Sequence, residues 1–110
     1  MVKNTVPFAY IEKVSSSPQM GVTSAFTFGR GYGFLRGLLT AYNYPFEEVL
    51  PRKWQASFGM KKGKDESNTQ WKNRLKGKAQ QLFPHLKVTL ATADALLIAE
   101  YGRRLRCEKT

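Results

Sequence analysis

Apolar residues follow two different rhythms along this chain. VPFAYIEKV, residues 6 to 14, is short, aromatic-rich and bounded by turn-forming residues, which predicts a mostly buried strand. Pro7 suits its beginning, where a missing backbone donor matters least. Side chains alternate across a strand, so Phe8, Tyr10, Glu12 and Val14 share one side, with the Glu12 carboxylate near the strand's end. SSSPQMG reads as a loop. TSAFTFGRGYGFLRGLLTAYNY then leads through a glycine-punctuated stretch into a helix on which Leu35, Leu38, Leu39 and Tyr42 recur at helical spacing, while Arg36 points elsewhere. Gly33 and Gly37, four apart, share one face and would let another backbone approach closely.

The rhythm shortens again at YPFEEVL, a second strand, and PRKWQASF predicts a short helix with Pro51 in its first turn. GMKKGKDESN is a lysine-rich polar loop, expected to be the most mobile segment. A helix follows from Asn68 or Thr69 to Leu82, with Trp71, Leu75, Ala79 and Leu82 as its buried stripe; Lys72, Arg74, Lys76 and Lys78 take the other sides, and Pro84 ends it. HLKVTLATADALLIAEYGRRLR supplies a final helix capped by Thr89 or Thr92, with Gly102 near its end. The order strand, helix, strand, helix, helix, helix predicts an α/β domain: a small, mostly parallel sheet joined by a crossover and flanked by helices. Two strands are few for such a sheet, because each needs a neighbour and a covered face.

Composition bounds this picture. A chain of 110 residues, 42% hydrophobic and 13% aromatic, is one domain's worth, read here as a single domain over 1–110. Folding at this size buries roughly 65% of the surface the unfolded chain exposes, enough for a modest core. No apolar run reaches about 18 residues, so no transmembrane helix and no membrane partner are expected. The first residues lack the layout of a signal peptide, and the single Cys107 excludes an internal disulfide framework and fits a reducing cytosol. Charge changes the picture more. Eighteen Lys and Arg against eight Asp and Glu give +10 at pH 7, which points to a polyanionic partner, nucleic acid first. The bland alternatives are a basic domain whose charge serves only solubility and an adaptor that docks on an acidic protein.

Two carboxylates carry the candidate chemistry. Taken singly, Glu12 reads as a solvated glutamate at a strand end, and Asp94 as a helix-start acid stabilised by about 0.3–1 kcal/mol through the helix dipole. Their setting says more. IEKVSSSPQMGVTSAFTFGRGYGFLRGLL, then VLPRKWQ, then TADALLIAEYGRR together resemble the RuvC-type Holliday-junction resolvases, in particular the phage and bacterial branch, from about Phe8 to Arg104. The resemblance implies a ribonuclease-H-like fold, a homodimer, a cytoplasmic setting in a bacterial or phage-infected cell, and cleavage of branched or four-way DNA with Mg²⁺ or Mn²⁺ held by carboxylates. It places Glu12 where the family has an acid at the end of a central strand, and Asp94 where another acid opens the last helix. Two-metal phosphodiester hydrolysis needs hard oxygen ligands that clamp both the attacking water and the departing oxygen. Two unit charges 4 Å apart cost about 4 kcal/mol at an effective dielectric of 20, so such a cluster is tolerable only where a cation is expected.

The chain departs from the family pattern in two places. No acid precedes Glu12, whereas family members open on a strand bearing a metal-binding Asp. The expectation is therefore an N-terminally truncated RuvC-like domain, inactive or nearly so by itself. The residues before Asp94, from Thr89 to Ala93, include no good ligand, and His85 lies too far upstream, in the turn after a helix. DNA contact is assigned to Lys13, Arg30, Arg36, Arg52, Lys53, Lys61, Lys62 and Lys64, expected in loops or at element edges, with the GRGYG segment offering either backbone donors to phosphate or glycines for helix packing. Trp54 and Trp71 read as core residues rather than base-stacking platforms. The functional expectation is a structure-selective, divalent-metal-dependent endodeoxyribonuclease; the alternative is a non-catalytic basic DNA-binding module derived from the same fold.

Overall fold

The computed structural model of the chain describes residues 8–13 and 21–108, so Val6, Pro7 and Val14 of the expected first strand, and all of the expected SSSPQMG loop but Gly21, fall outside the described residues. The chain divides into two compact units, Met1–Leu50 and Pro51–Thr110, each described by itself. Together they make a mixed α/β chain with a two-stranded parallel sheet and four helices among the described residues.

The first unit is a strand–helix–strand crossover. Strand β1 (Ala9–Glu12) pairs in parallel with β2 (Phe46–Val49), and helix α1 (Val22–Ala41) joins them. The register sets Ala9 against Phe46 and Glu12 against Val49, and it is held beyond the strand ends by Ala9 N–H donating to the Pro45 carbonyl (3.0 Å) and Lys13 N–H to the Val49 carbonyl (2.8 Å). Ile11 and Val49 are buried, while the Phe8 and Tyr10 rings sit 5.0 Å apart on the same side of β1, as strand alternation requires.

Helix α1 corrects two expectations. Its 20 residues run straight through Gly29, Gly31, Gly33 and Gly37, so the GRGYG segment is helix and its amide donors are spent on carbonyls one turn back. A Cβ built on any of these four glycines meets nothing within 4 Å among the described residues; no close backbone approach explains them. The apolar residues at helical spacing are also not a buried stripe: Leu35, Leu38 and Tyr42 are exposed, as are Phe26 and Phe34. The helix ends where Asn43 takes a left-handed conformation (φ 59°), letting Asn43 N–H reach the Thr40 carbonyl and Tyr44 N–H the Leu39 carbonyl, a Schellman closure built on asparagine.

The second unit is three helices: α2 (Pro51–Ser57), α3 (Asn68–Leu82) and α4 (Leu90–Glu108). Both α2 and α3 pack on α4. Trp54 from α2, Trp71, Leu75 and Ala79 from α3, and Ala93, Leu97, Ile98 and Tyr101 from α4 form the core, which agrees with the core reading of both tryptophans. Gly59 closes α2 at φ 69°, with its N–H on the Ala56 carbonyl and Met60 N–H on the Gln55 carbonyl. A side chain there would strain the backbone although space is open around it. Helix α3 starts on a capping box in which the Ser67 hydroxyl accepts from Gln70 N–H and the Gln70 amide oxygen accepts from Ser67 N–H. Thr89 begins α4, its hydroxyl accepting from Thr92 N–H while the Thr92 hydroxyl accepts from Thr89 N–H. Gly102 does not end this helix; it is buried within it, and six further residues follow to Glu108. The α3–α4 connection is organised by Gln80, whose amide nitrogen donates to the Phe83 and Leu86 carbonyls and whose oxygen accepts from Val88 N–H. Among the described residues no helix is long and apolar enough to cross a membrane.

Candidate nucleic-acid interface

The positive charge is not spread evenly. Residues 51–110 hold 14 Lys and Arg against five Asp and Glu, whereas residues 1–50 hold four against three. The three-helix unit is thus the polycation.

Its arginines and lysines differ in how they are engaged. Arg74 donates to Glu66 Oε1 (2.7 Å) and to the Lys61 carbonyl (3.3 Å), and lies over the Trp71 ring. Arg103 grips both oxygens of Glu100 (2.8 Å each), and Arg104 adds a third bond to Glu100 Oε2 (2.7 Å) while stacking on Phe58. These arginines hold the unit together. Others are left: Arg52 and Lys53 on α2, Lys61 and Lys64 in the following loop and Lys72 on α3 are exposed, and no ion pair among the described residues involves any of the five. Lys62 donates to the Asn68 amide oxygen.

The lysine-rich loop is better held than its composition suggests. Gly63 N–H donates to Glu66 Oε1 (2.9 Å), the Lys61 carbonyl is fixed by Arg74, and Lys62 reaches Asn68. Lys61 and Lys64 are thus exposed on a loop whose backbone is tied at the Lys61 carbonyl and at Gly63 N–H.

Other expected contacts stand differently. Lys13 is exposed just after β1, and Arg52 and Lys53 occupy the first turn of α2, each at an element edge as expected. Arg30 and Arg36 do not lie in loops or at edges but within α1, because the helix absorbs the glycines around them. Arg36 also spans from α1 to β2, with its guanidinium 3.5 Å from Glu48 Oε1 and 5.9 Å from the centre of the Tyr32 ring.

Glu12 is the last residue of β1, half-buried, in the first unit; Asp94 is on α4, in the second. Asp94 is not in the first turn of its helix, which opens at Leu90, so the dipole stabilisation expected for it does not apply. Burial pushes the Asp94 carboxyl above its ordinary value, and the nearby Lys72 ammonium pulls the other way. Among the described residues no three His, Cys, Asp or Glu side chains come together as a metal-holding group. His85 is exposed in the turn after α3, in agreement with the surface reading.

Glu100 is the strongest electrostatic feature. Hydrogen bonding from Arg103 foremost, and then from Arg104, holds its carboxyl down at about 2, against burial acting upward. A depressed carboxylate stabilises the fold above its unfolded value near 4.5, and that contribution is lost as pH falls toward 2. Glu100→Gln is expected to lower stability at pH 7 by about 1–2 kcal/mol and to flatten the acid limb between these values. Thermal melts across that range check this; parallel curves for the two proteins would refute it.

Sequence reasoning passed over Glu66, Arg74, Gln80 and Glu100. The spacing of Glu100 to Arg103 and Arg104 is a helical pairing pattern and was readable. Glu66 with Arg74 bridges loop to helix, and Gln80 serves a turn it does not belong to, so neither has a local signal. Comparison with protein-family models and with curated proteins gives no match to this chain.

Proposed function

We propose that this chain is a DNA-binding domain of the RuvC-like, ribonuclease-H-like endonuclease type, acting on branched DNA as a homodimer, with its three-helix unit gripping phosphates. The observation that carries the reading is the concentration of charge in residues 51–110, where Arg74, Arg103 and Arg104 are paired with acids while Arg52, Lys53, Lys61 and Lys64 are exposed with no ion pair among the described residues. Phosphate contacts of this kind position a protein without reading sequence, which suits recognition of a branch by shape.

Divalent-metal cleavage belongs to the same proposal, with Glu12 and Asp94 as the acids that would hold Mg²⁺ or Mn²⁺. Two carboxylates supply fewer ligands than a two-metal centre uses.

The test is one titration and one digestion. Affinity for a four-way junction is expected to fall about 10³-fold or more from 50 to 200 mM salt, with linear duplex bound more weakly at every salt. A flat response removes nucleic acid from the reading. In Mg²⁺, nicking that disappears in Glu12→Gln and Asp94→Asn, with binding kept within about twofold, marks the enzyme. Binding without nicking marks the non-catalytic module.

A further inference from the structure

Beside the pinned loop lies a hollow of about 460 Å³ lined by Arg52, Gln55 and Ala56 of α2 and by Met60 and Lys61. We propose that it receives the base and phosphate of a single unstacked DNA nucleotide, an inference that rests on the DNA-binding reading and gives it a specific contact.

Volume, lining and rigidity converge on this. The hollow falls in the size range of small-ligand sites, roughly 300–1,000 Å³. Two cations and no acid line it, so the ligand is anionic. Ala56 and Met60 give an apolar surface that a bare phosphate would leave unused, and Gln55 brings a side chain that both donates and accepts. A nucleotide satisfies all three: phosphate on Arg52 and Lys61, base against Ala56 and Met60, base edge on Gln55. Thioether contact tolerates any base, so the pocket selects an unpaired nucleotide rather than a sequence.

The backbone on one side of the hollow is tied in place. The left-handed Gly59 turns the chain back so that Met60 N–H binds the Gln55 carbonyl (3.0 Å), and Arg74 holds the Lys61 carbonyl (3.3 Å). A nucleotide in continuous duplex is stacked and cannot enter, whereas one at a bulge or branch point is released at little cost.

The experiment compares, by fluorescence anisotropy at one salt concentration, a linear duplex carrying one unpaired nucleotide with the same duplex fully paired. The intact chain is expected to prefer the bulged DNA about tenfold. Ala56→Phe, which fills the hollow and leaves every charge in place, is expected to erase that preference while keeping paired-duplex affinity within about twofold. Gln55→Ala is expected to reduce the preference about threefold or more, and it decides the matter if circular dichroism shows that Ala56→Phe does not fold. Equal binding of both duplexes by the intact chain, or a preference that survives in folded Ala56→Phe or in Gln55→Ala, overturns the pocket and leaves the DNA reading standing. Binding of neither duplex at low salt overturns both.

Discussion

Trp54→Ala is expected to cost about 3–5 kcal/mol of stability, the largest loss from any single substitution in the three-helix unit. Its side chain is fully buried (0% exposed), and it is the only buried residue of the seven-residue helix α2. A helix of that length does not stand alone in water, so burial of this indole is what holds α2 in place. Domains of ordinary stability have about 5–15 kcal/mol in hand, and losing a third or more of it should bring the melting transition close to room temperature. Arg52 and Lys53 would lose their platform at the same time. Urea unfolding of the two proteins measures the effect; a loss under about 1 kcal/mol would mean that α2 is held by something else.

Replacing Lys61, Lys62 and Lys64 together with glutamine should weaken junction binding about 10²-fold near 0.1 M salt and reduce the slope of log affinity against log salt by about 3, one for each phosphate contact removed. The contrast is with Arg103 and Arg104. Those guanidiniums are committed to Glu100, so glutamine at both positions should lower stability while changing the slope by less than the lysine substitutions do. Salt titrations of the two variants side by side separate charges that bind from charges that build. If both lose the same slope, the division between them is wrong.

Element types and order were legible in the sequence, since apolar period and breakers fix them locally. Pro51 and Pro84 punctuate α2 and α3 in positions their backbone chemistry dictates, and α3 spans Asn68–Leu82 as its Trp71, Leu75 and Ala79 stripe predicts. The parallel pairing of β1 with β2 followed from the crossover between them. What was not legible depends on context. Glycines that look like turn markers at 29 to 37 are carried by a long helix, because propensity is a weak preference that neighbouring turns override. Gly102 likewise sits buried inside α4 rather than after it. The two acids of the candidate site are visible one by one, but their partners are a matter of tertiary arrangement that spacing does not encode.

The lopsided charge of the three-helix unit has a consequence for the fold itself. Like charges crowded on so few residues repel one another, so the folded unit is most strained in pure, dilute buffer. Counterions relieve that crowding, and on the DNA-binding proposal they would also compete with phosphates, so ionic strength is expected to firm the protein while loosening any hold on DNA. A bound polyanion would escape this conflict, because it would neutralise the helices and occupy them at once; under the proposed function, the cargo would double as a folding partner.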